Sequence, residues 1–295
     1  MENRGRARNV TLQSGQIIQL RDLTTFDEFR EVAALVRDIW QFTDPQDTLP
    51  LPILAAQVRR GTILIGGFDQ RPRMVGCVYS WPAFKAGKPL QWSHMLGVTE
   101  SYRGAGLGRI LKFEQRQRTL EMGLDLIEWT YDPLQAVNAH FNFDVLGAVV
   151  GEYEEDAYSQ SSSILHSGTA TDRFVAEWWI NTPEVDRRSA NEDGAARKKL
   201  DIAGVPSANS TRASGEWAAP QSMDLSLCDP KVVVYIPAGF AEMLLRDLPL
   251  AREWRATTRR IFTTYFARGY RAVGFALDRE NRRGAYLLTN QPAAE

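Results

Sequence analysis

From Ile17 to Leu23 apolar and polar residues alternate, the period-two pattern of a half-buried strand. Thr25-Phe26-Asp27-Glu28 has the spacing of a capping box. Behind it Phe26, Phe29, Val32, Ala33, Val36, Ile39 and Trp40 recur at helical spacing, which predicts an amphipathic helix. Gln41 to Pro52 is polar and proline-bearing and reads as a surface loop. Two strand-like runs, Thr62 to Phe68 and Met74 to Trp81, flank Asp69-Gln70-Arg71-Pro72 and predict a hairpin. Leu90 to Val98 is a further strand. A helical pattern from Gly104 stops at Gly123, where a glycine cap belongs, and Asp125 to Thr130 returns to strand. Asn138 to Leu146 reads as a short helix ended by Gly147, and Ala148 to Tyr153 as a strand. That order implies an α/β (α+β) fold with one mixed central sheet flanked by helices.

Between Asn181 and Asp229 the hydrophobic period disappears under Arg, Ser, Ala, Asn, Asp and Gly, so this stretch reads as a polar linker. Beyond it come a β-branched strand, Val232 to Ile236, and a helix marked by Trp254, Ile261, Phe262, Tyr265 and Phe266 and closed by Gly269. Strands near Tyr270 to Leu277 and Ala285 to Leu288 follow. The expected organisation is a first domain over 10–180, a linker over 181–229 and a smaller C-terminal β-α-β-β unit over 230–295, docked on the first domain because it is close to the lower size limit for independent folding.

The 295 residues carry 35 basic and 36 acidic side chains, a formal charge of -1, which argues against a broad nucleic-acid face. No apolar run is long enough to span a membrane. Met1 to Arg6 lacks the apolar stretch of a signal peptide, so the expected location is cytoplasmic. Cys77 and Cys228 are far apart and read as buried free thiols. His140 and His166 lack partners at metal-ligand spacing, and no metal is assigned.

The most informative stretch is Leu96-Gly97-Val98-Thr99-Glu100-Ser101-Tyr102-Arg103-Gly104-Ala105-Gly106-Leu107-Gly108. A strand runs into three alternate glycines, and a helix starts at once. Glycines let the backbone turn tightly and approach a phosphate, while the unpaired amides and positive dipole end of the helix hold its charge. A dinucleotide fingerprint needs a glycine three positions after its second one, where Arg109 stands. A P-loop needs Gly-Lys-Ser/Thr, and here the turn closes Gly108-Arg109-Ile110.

The segment Arg103-Gly104-Ala105-Gly106-Leu107-Gly108 after Leu96-Gly97-Val98 resembles the coenzyme A pyrophosphate loop of the GNAT acyltransferase superfamily. Asn138-Ala139-His140-Phe141 and Leu146-Gly147-Ala148 resemble the superfamily's next helix and its end, so the resemblance covers roughly Ile17 to Tyr158. Trp129 to Leu134, Asp172-Arg173-Phe174 and Gly269-Tyr270 are similar to a two-part branch of largely uncharacterised acetyltransferases, whose substrate is not inherited with the resemblance.

The resemblance implies an acyl-CoA-dependent N-acyltransferase, with acetyl-CoA as donor and a small amine or amino acid as the acceptor that attacks the thioester directly, in a cleft where two neighbouring strands splay. It implies main-chain pairing of the pantetheine arm at Leu96 and Val98, polarisation of the thioester carbonyl by the Val98 amide, pyrophosphate contacts from Arg103, Gly104, Ala105, Gly106, Leu107, Gly108 and Arg109, and contacts from Asn138 and Phe141 on the other side of the arm. A peptide or protein acceptor, a non-catalytic acyl-CoA sensor and a homodimer stay open. An alkyl amine near pKa 10.4 is roughly one part in 10^3 unprotonated at neutral pH, so a base is useful. His94 is the candidate, on a strand face expected to hold Leu90, Trp92, His94, Leu96 and Val98. Many superfamily members place a tyrosine where this chain has Phe143; Tyr131, Tyr153 and Tyr158 are then the candidate proton donors, and Tyr131 is the one assigned. Trp40 and Glu128 are candidate acceptor contacts beside alternative core and surface roles, and Arg173 is either a carboxylate clamp or one half of an ion pair with a neighbour such as Asp172.

Overall fold

The computed structural model describes residues 6–44, 47–159, 168–190 and 200–292, and the chain divides into two compact units. One is the chain up to Trp129 together with Trp179–Thr182. The other begins at Thr130. The division therefore falls at residue 129 rather than at the linker expected from composition.

In the first unit the chain runs β1 (Ala7–Thr11), β2 (Ile17–Asp22), α1 (Phe26–Trp40), α2 (Leu51–Val58), β3 (Ile63–Phe68), β4 (Met74–Lys85), β5 (Lys88–Val98), α3 (Leu107–Glu121) and β6 (Leu126–Tyr131), the last strand carrying the chain out of the unit. Strands lie side by side in sequence order, antiparallel from β1 to β5, with β6 parallel to β5. The capping box forms as expected: Thr25 Oγ1 accepts from the Glu28 amide, and the Glu28 carboxylate accepts from the Thr25 amide at 2.9 Å. Two elements escape the sequence pattern, β1 and α2. The latter begins inside the expected loop, opened by Pro52 in its first turn.

One face of these strands buries Leu64, Phe68, Cys77, Tyr79 and Met95 against Phe29, Val32 and Val36 of α1 and Leu54 of α2. The other buries Ile65, Val75 and Val78 with Leu107 and Leu111 of α3. Cys77 lies in this core, and burial pushes its thiol up to about 12. Cys228 is exposed, contrary to expectation, because it follows β10 on a stretch outside any strand.

The second unit contains α4 (Ala136–His140) continuing into a π-helical turn (Phe141–Leu146), then β7 (Val149–Glu154), β8 (Arg173–Trp179), α5 (Pro183–Ala190), β9 (Asn209–Ser214), β10 (Trp217–Met223), β11 (Lys231–Pro237), α6 (Phe240–Arg246), α7 (Leu248–Ala267), β12 (Arg271–Asp278) and β13 (Arg283–Thr289). Its strands neighbour in the order β8-β7-β12-β13-β11, all antiparallel, and β9 and β10 form a separate hairpin. The stretch read as a linker thus holds a helix and a hairpin. Short, polar-rich strands such as Asn209-Ser210-Thr211-Arg212 carry no apolar alternation to betray them. The aromatic residues explain the packing: Phe174 of β8 meets Tyr153, Phe262, Phe266 and Tyr286 with ring centroids 4.6 to 5.8 Å apart. No helix among the described residues is long and apolar enough to cross a membrane.

Candidate active site

The register of β4 on β5 changes within one step. Tyr79 pairs with Met95 but Ser80 pairs with Ser93, so His94 is an extra residue, a β-bulge. The bulge resets the alternation. Leu90, Trp92 and His94 share the face packed by α1 and α2, which Met95 and Gly97 then continue, whereas Leu96 and Val98 turn to the α3 face. The single face expected for all five residues therefore does not exist. Gly97 allows α1 to come close: a Cβ there would lie 2.8 Å from Ile39 and 3.1 Å from Trp40.

Beyond the bulge β5 has one paired edge. The Thr99 amide bonds Val75 O at 2.9 Å, so antiparallel alternation aims the main-chain groups of Gly97 at β4 and those of Leu96 and Val98 at the opposite edge. On that edge β6 pairs only at Gln91 with Ile127 and Trp92 with Glu128. The amides of Leu96 and Val98 consequently have no hydrogen-bond partner among the described residues. Arg103 Nε donates to Val98 O at 3.1 Å, which ties the glycine turn to the end of this edge.

A 3₁₀ turn, Glu100–Tyr102, links the edge to α3. Gly104 and Gly106 have φ of 74° and 92°, the left-handed region, and Gly106 caps the helix. A Cβ on Gly104 would meet nothing within 4 Å, so backbone conformation rather than space demands glycine there. The turn is braced by the Gln13 amide donating to Ala105 O at 3.2 Å. No acidic side chain stands in the first turn of α3, leaving the positive end of its dipole uncompensated from within. Leu107 is buried in the core, Gly108 opens the helix behind it, and Arg109 lies over the Phe113 ring.

The His94 ring presents much of its surface to solvent, yet it also lies against Trp81 and Tyr79, with centroids 4.8 and 5.9 Å away. The desolvation these rings impose lowers its pKa to about 4, so the imidazole is neutral at pH 7. Trp40 stacks on Phe42 and covers Gly97. Glu128 is buried, and its carboxylate accepts from Lys85 Nζ at 2.8 Å. Beneath β5, on the α3 side, lies a buried polar group that sequence reasoning missed. Lys112 Nζ donates to Gln115 Oε1 at 2.8 Å and Ser93 Oγ at 3.2 Å and sits 3.9 Å over the Trp129 ring. Burial holds the Lys112 ammonium well below the usual lysine range. The signal was present in the stripe of α3, where Leu107 and Leu111 give way to Lys112, Gln115 and Thr119 on a buried face.

The remaining candidates belong to the second unit. Tyr131 is buried at 5% exposure beside Phe174, with Tyr286 and Asn142 near its hydroxyl, and burial raises its pKa far beyond the usual tyrosine value. Tyr153 donates to Asp172 Oδ2 at 2.6 Å, and the Tyr158 and Thr130 hydroxyls share a bond of 2.7 Å. Phe143 is buried against Tyr286. Asn138 is exposed on α4, and Phe141 is half-buried where the π-helical turn begins. Arg173 is buried, donates to the Asp172 carbonyl at 3.1 Å and faces the Tyr158 ring. His140 bonds Asp144 at 2.6 Å, while His166 lies outside the described residues.

No family model and no curated protein matches the chain. Similar solved structures include the NatC complex bound to Gag peptide and CoA, at 14% identity over 56% of this chain and 99% of that one, with a TM-score of 0.45. An acetyltransferase of the GNAT family from Streptococcus pneumoniae is 17% identical over 54% of this chain and 98% of its own, with a TM-score of 0.44. An aminoglycoside acetyltransferase from an uncultured soil metagenomic sample, in complex with sisomicin, is 16% identical over 42% and 84%, with a TM-score of 0.37.

Proposed function

We propose that the protein is an acyl-CoA-dependent N-acyltransferase of the GNAT type, using acetyl-CoA on a small amine or amino acid. One observation carries the reading: the unpaired Leu96–Val98 edge runs directly into a helix opened by left-handed glycines, so donors for an extended amide-bearing arm and for a diphosphate are contiguous. Coenzyme A fits that pairing of sites, and when bound it supplies the acyl thioester. The first-turn amides after Gly106 would receive the pyrophosphate, with Arg109 alongside. Leu96 would hold the arm through its main chain, and the Val98 amide would donate to the acyl carbonyl oxygen as charge develops there.

His94 would accept the proton that the attacking nitrogen loses. Since its pKa is near 4, it is unprotonated at neutral pH but a weak base, so a relay through water suits it better than direct abstraction. Trp81, half-buried and tilted against it, offers a ring face to a cationic acceptor before deprotonation. The same low basicity favours a second reading, an acyl-CoA sensor without turnover. Calorimetry with coenzyme A and thiol release over a panel of amines, amino acids and peptide N-termini test both. Binding with turnover on one acceptor class supports the enzyme and identifies its substrate. Binding without turnover above the water rate supports the sensor, and the absence of binding refutes both.

A further inference from the structure

Helix α7 places Arg252, Arg255, Ala256, Arg259 and Arg260 at i, i+3, i+4, i+7 and i+8, a single stripe of four guanidinium groups around one small residue. The stripe lines an open pocket of about 470 Å³, bordered on another side by Gly168, Thr169 and Ala170, all within the second unit. That volume suits a small metabolite.

The charges in this cavity do not balance. Arg255 is answered by Asp132, with NH1 to Oδ1 at 2.8 Å and NH2 to Oδ2 at 2.6 Å. Arg259 is answered by Asp172, with Nε to Oδ2 at 2.8 Å, and by Glu155 at 3.3 Å. Among the described residues Arg252 meets only the Gly168 carbonyl, at 2.9 Å, and the Arg260 side chain has neither a hydrogen bond nor an ion pair. Arg255 adds a separate observation. It is 4% exposed, and its buried Nε has no acceptor among the described residues even though the side chain lines the cavity. A buried N–H without an acceptor is costly, and folded proteins rarely leave one.

We propose that this cavity is a binding site for a small polyanionic metabolite, one whose phosphate or carboxylate oxygens take the Arg255 Nε–H and the free faces of Arg252 and Arg260, with its carbon skeleton over Ala256. Guanidinium forks match both oxyanions, so the shared chemistry is a compact group of at least two negative charges. The site is independent of the acyl-CoA reading and of the glycine turn in the first unit.

Isothermal calorimetry on the full chain with sn-glycerol 3-phosphate and with citrate distinguishes the two sources of charge. At least one is expected to bind at a Kd below about 10 mM, and the Arg252→Ala/Arg260→Ala double variant, which removes two exposed side chains, is expected to weaken it about tenfold or more. The same variant should keep the wild-type circular dichroism spectrum and whatever coenzyme A affinity the wild type has. The proposal is overturned if neither anion binds, if the double variant binds both as the wild type does, or if a Gly104→Val change in the first unit abolishes anion binding in its place.

Discussion

An alanine at position 106 would have to hold φ near 92°, where its Cβ crowds the neighbouring carbonyl, at a cost of about 1 to 2 kcal/mol. We expect Gly106→Ala to lower the unfolding free energy by that amount in urea titration and to weaken coenzyme A binding about tenfold, because the same torsion aims the first helical amides. His94 makes a second expectation at this scale. Its pKa in the folded chain, about 4, lies below the ordinary value near 6.5, so between those limits the unfolded chain binds more protons. The contribution to stability is whole above pH 6.5 and fades as the pH falls toward 4, and His94→Gln should flatten that part of a stability–pH profile. On activity, the substitution should cost at most about 10^2, the low end for general base catalysis. The glycines could be read from the chain because only glycine tolerates their torsions. The environment of His94 could not, since it depends on Tyr79 and Trp81 from a neighbouring strand.

Helix α3 shows how far periodicity reaches. Its stop was legible in Gly123 and its start was read at Gly104, a few residues before Leu107, but the amine of Lys112 sits on the same buried stripe as Leu107 and Leu111, where an apolar residue is the usual occupant. Burial disfavours the Lys112 ammonium in the fold, so the unfolded chain holds that proton more tightly. The native state is therefore penalised most below the ordinary lysine pKa of about 10.4, and the penalty shrinks as pH rises toward it. Lys112→Met should keep or raise stability at pH 7 and reduce the rise of stability between pH 7 and 10, as measured by denaturant unfolding. Ser93 and Gln115 remain bonded to each other at 3.0 Å without it. The helix after Tyr131 was legible from Gly147, whose φ is 78°, yet nothing in its composition foretells the π-helical turn from Phe141 to Leu146.

At the level of the whole molecule, strands built from alternating or β-branched residues, β2 to β7 and β11 to β13, were visible in the sequence. The hairpin β9-β10 and the division at Trp129 were not. Both depend on polar strands and long-range packing that leave no local period. Long-range charge pairing was equally hidden: Asp132 and Arg255 are 123 residues apart and both almost wholly buried. Arg255 and its hydrogen bonds keep the Asp132 carboxyl below the usual carboxylate range, and Arg259 with Tyr153 does the same for Asp172. Their contributions to stability are present above about pH 3.9 and are lost as the pH falls through the lower folded values. Asp132→Asn, which leaves a buried guanidinium without its counter-charge, should cost about 3 to 5 kcal/mol in denaturant unfolding, with recovery when Arg255→Met is added.

The extra residue at 94 has a genetic corollary. Excising that one codon would bring Ser93 and Met95 into consecutive register with Ser80 and Tyr79 while leaving every other side chain of β5 on its present face. The shortened strand would lose the bend that a bulge imposes. It could then zip further along β6, past Trp92 and Glu128, and cover the edge that the proposed function assigns to the pantetheine arm. An in-frame deletion that folds well and binds nothing would be the sharpest outcome that a single triplet could produce here.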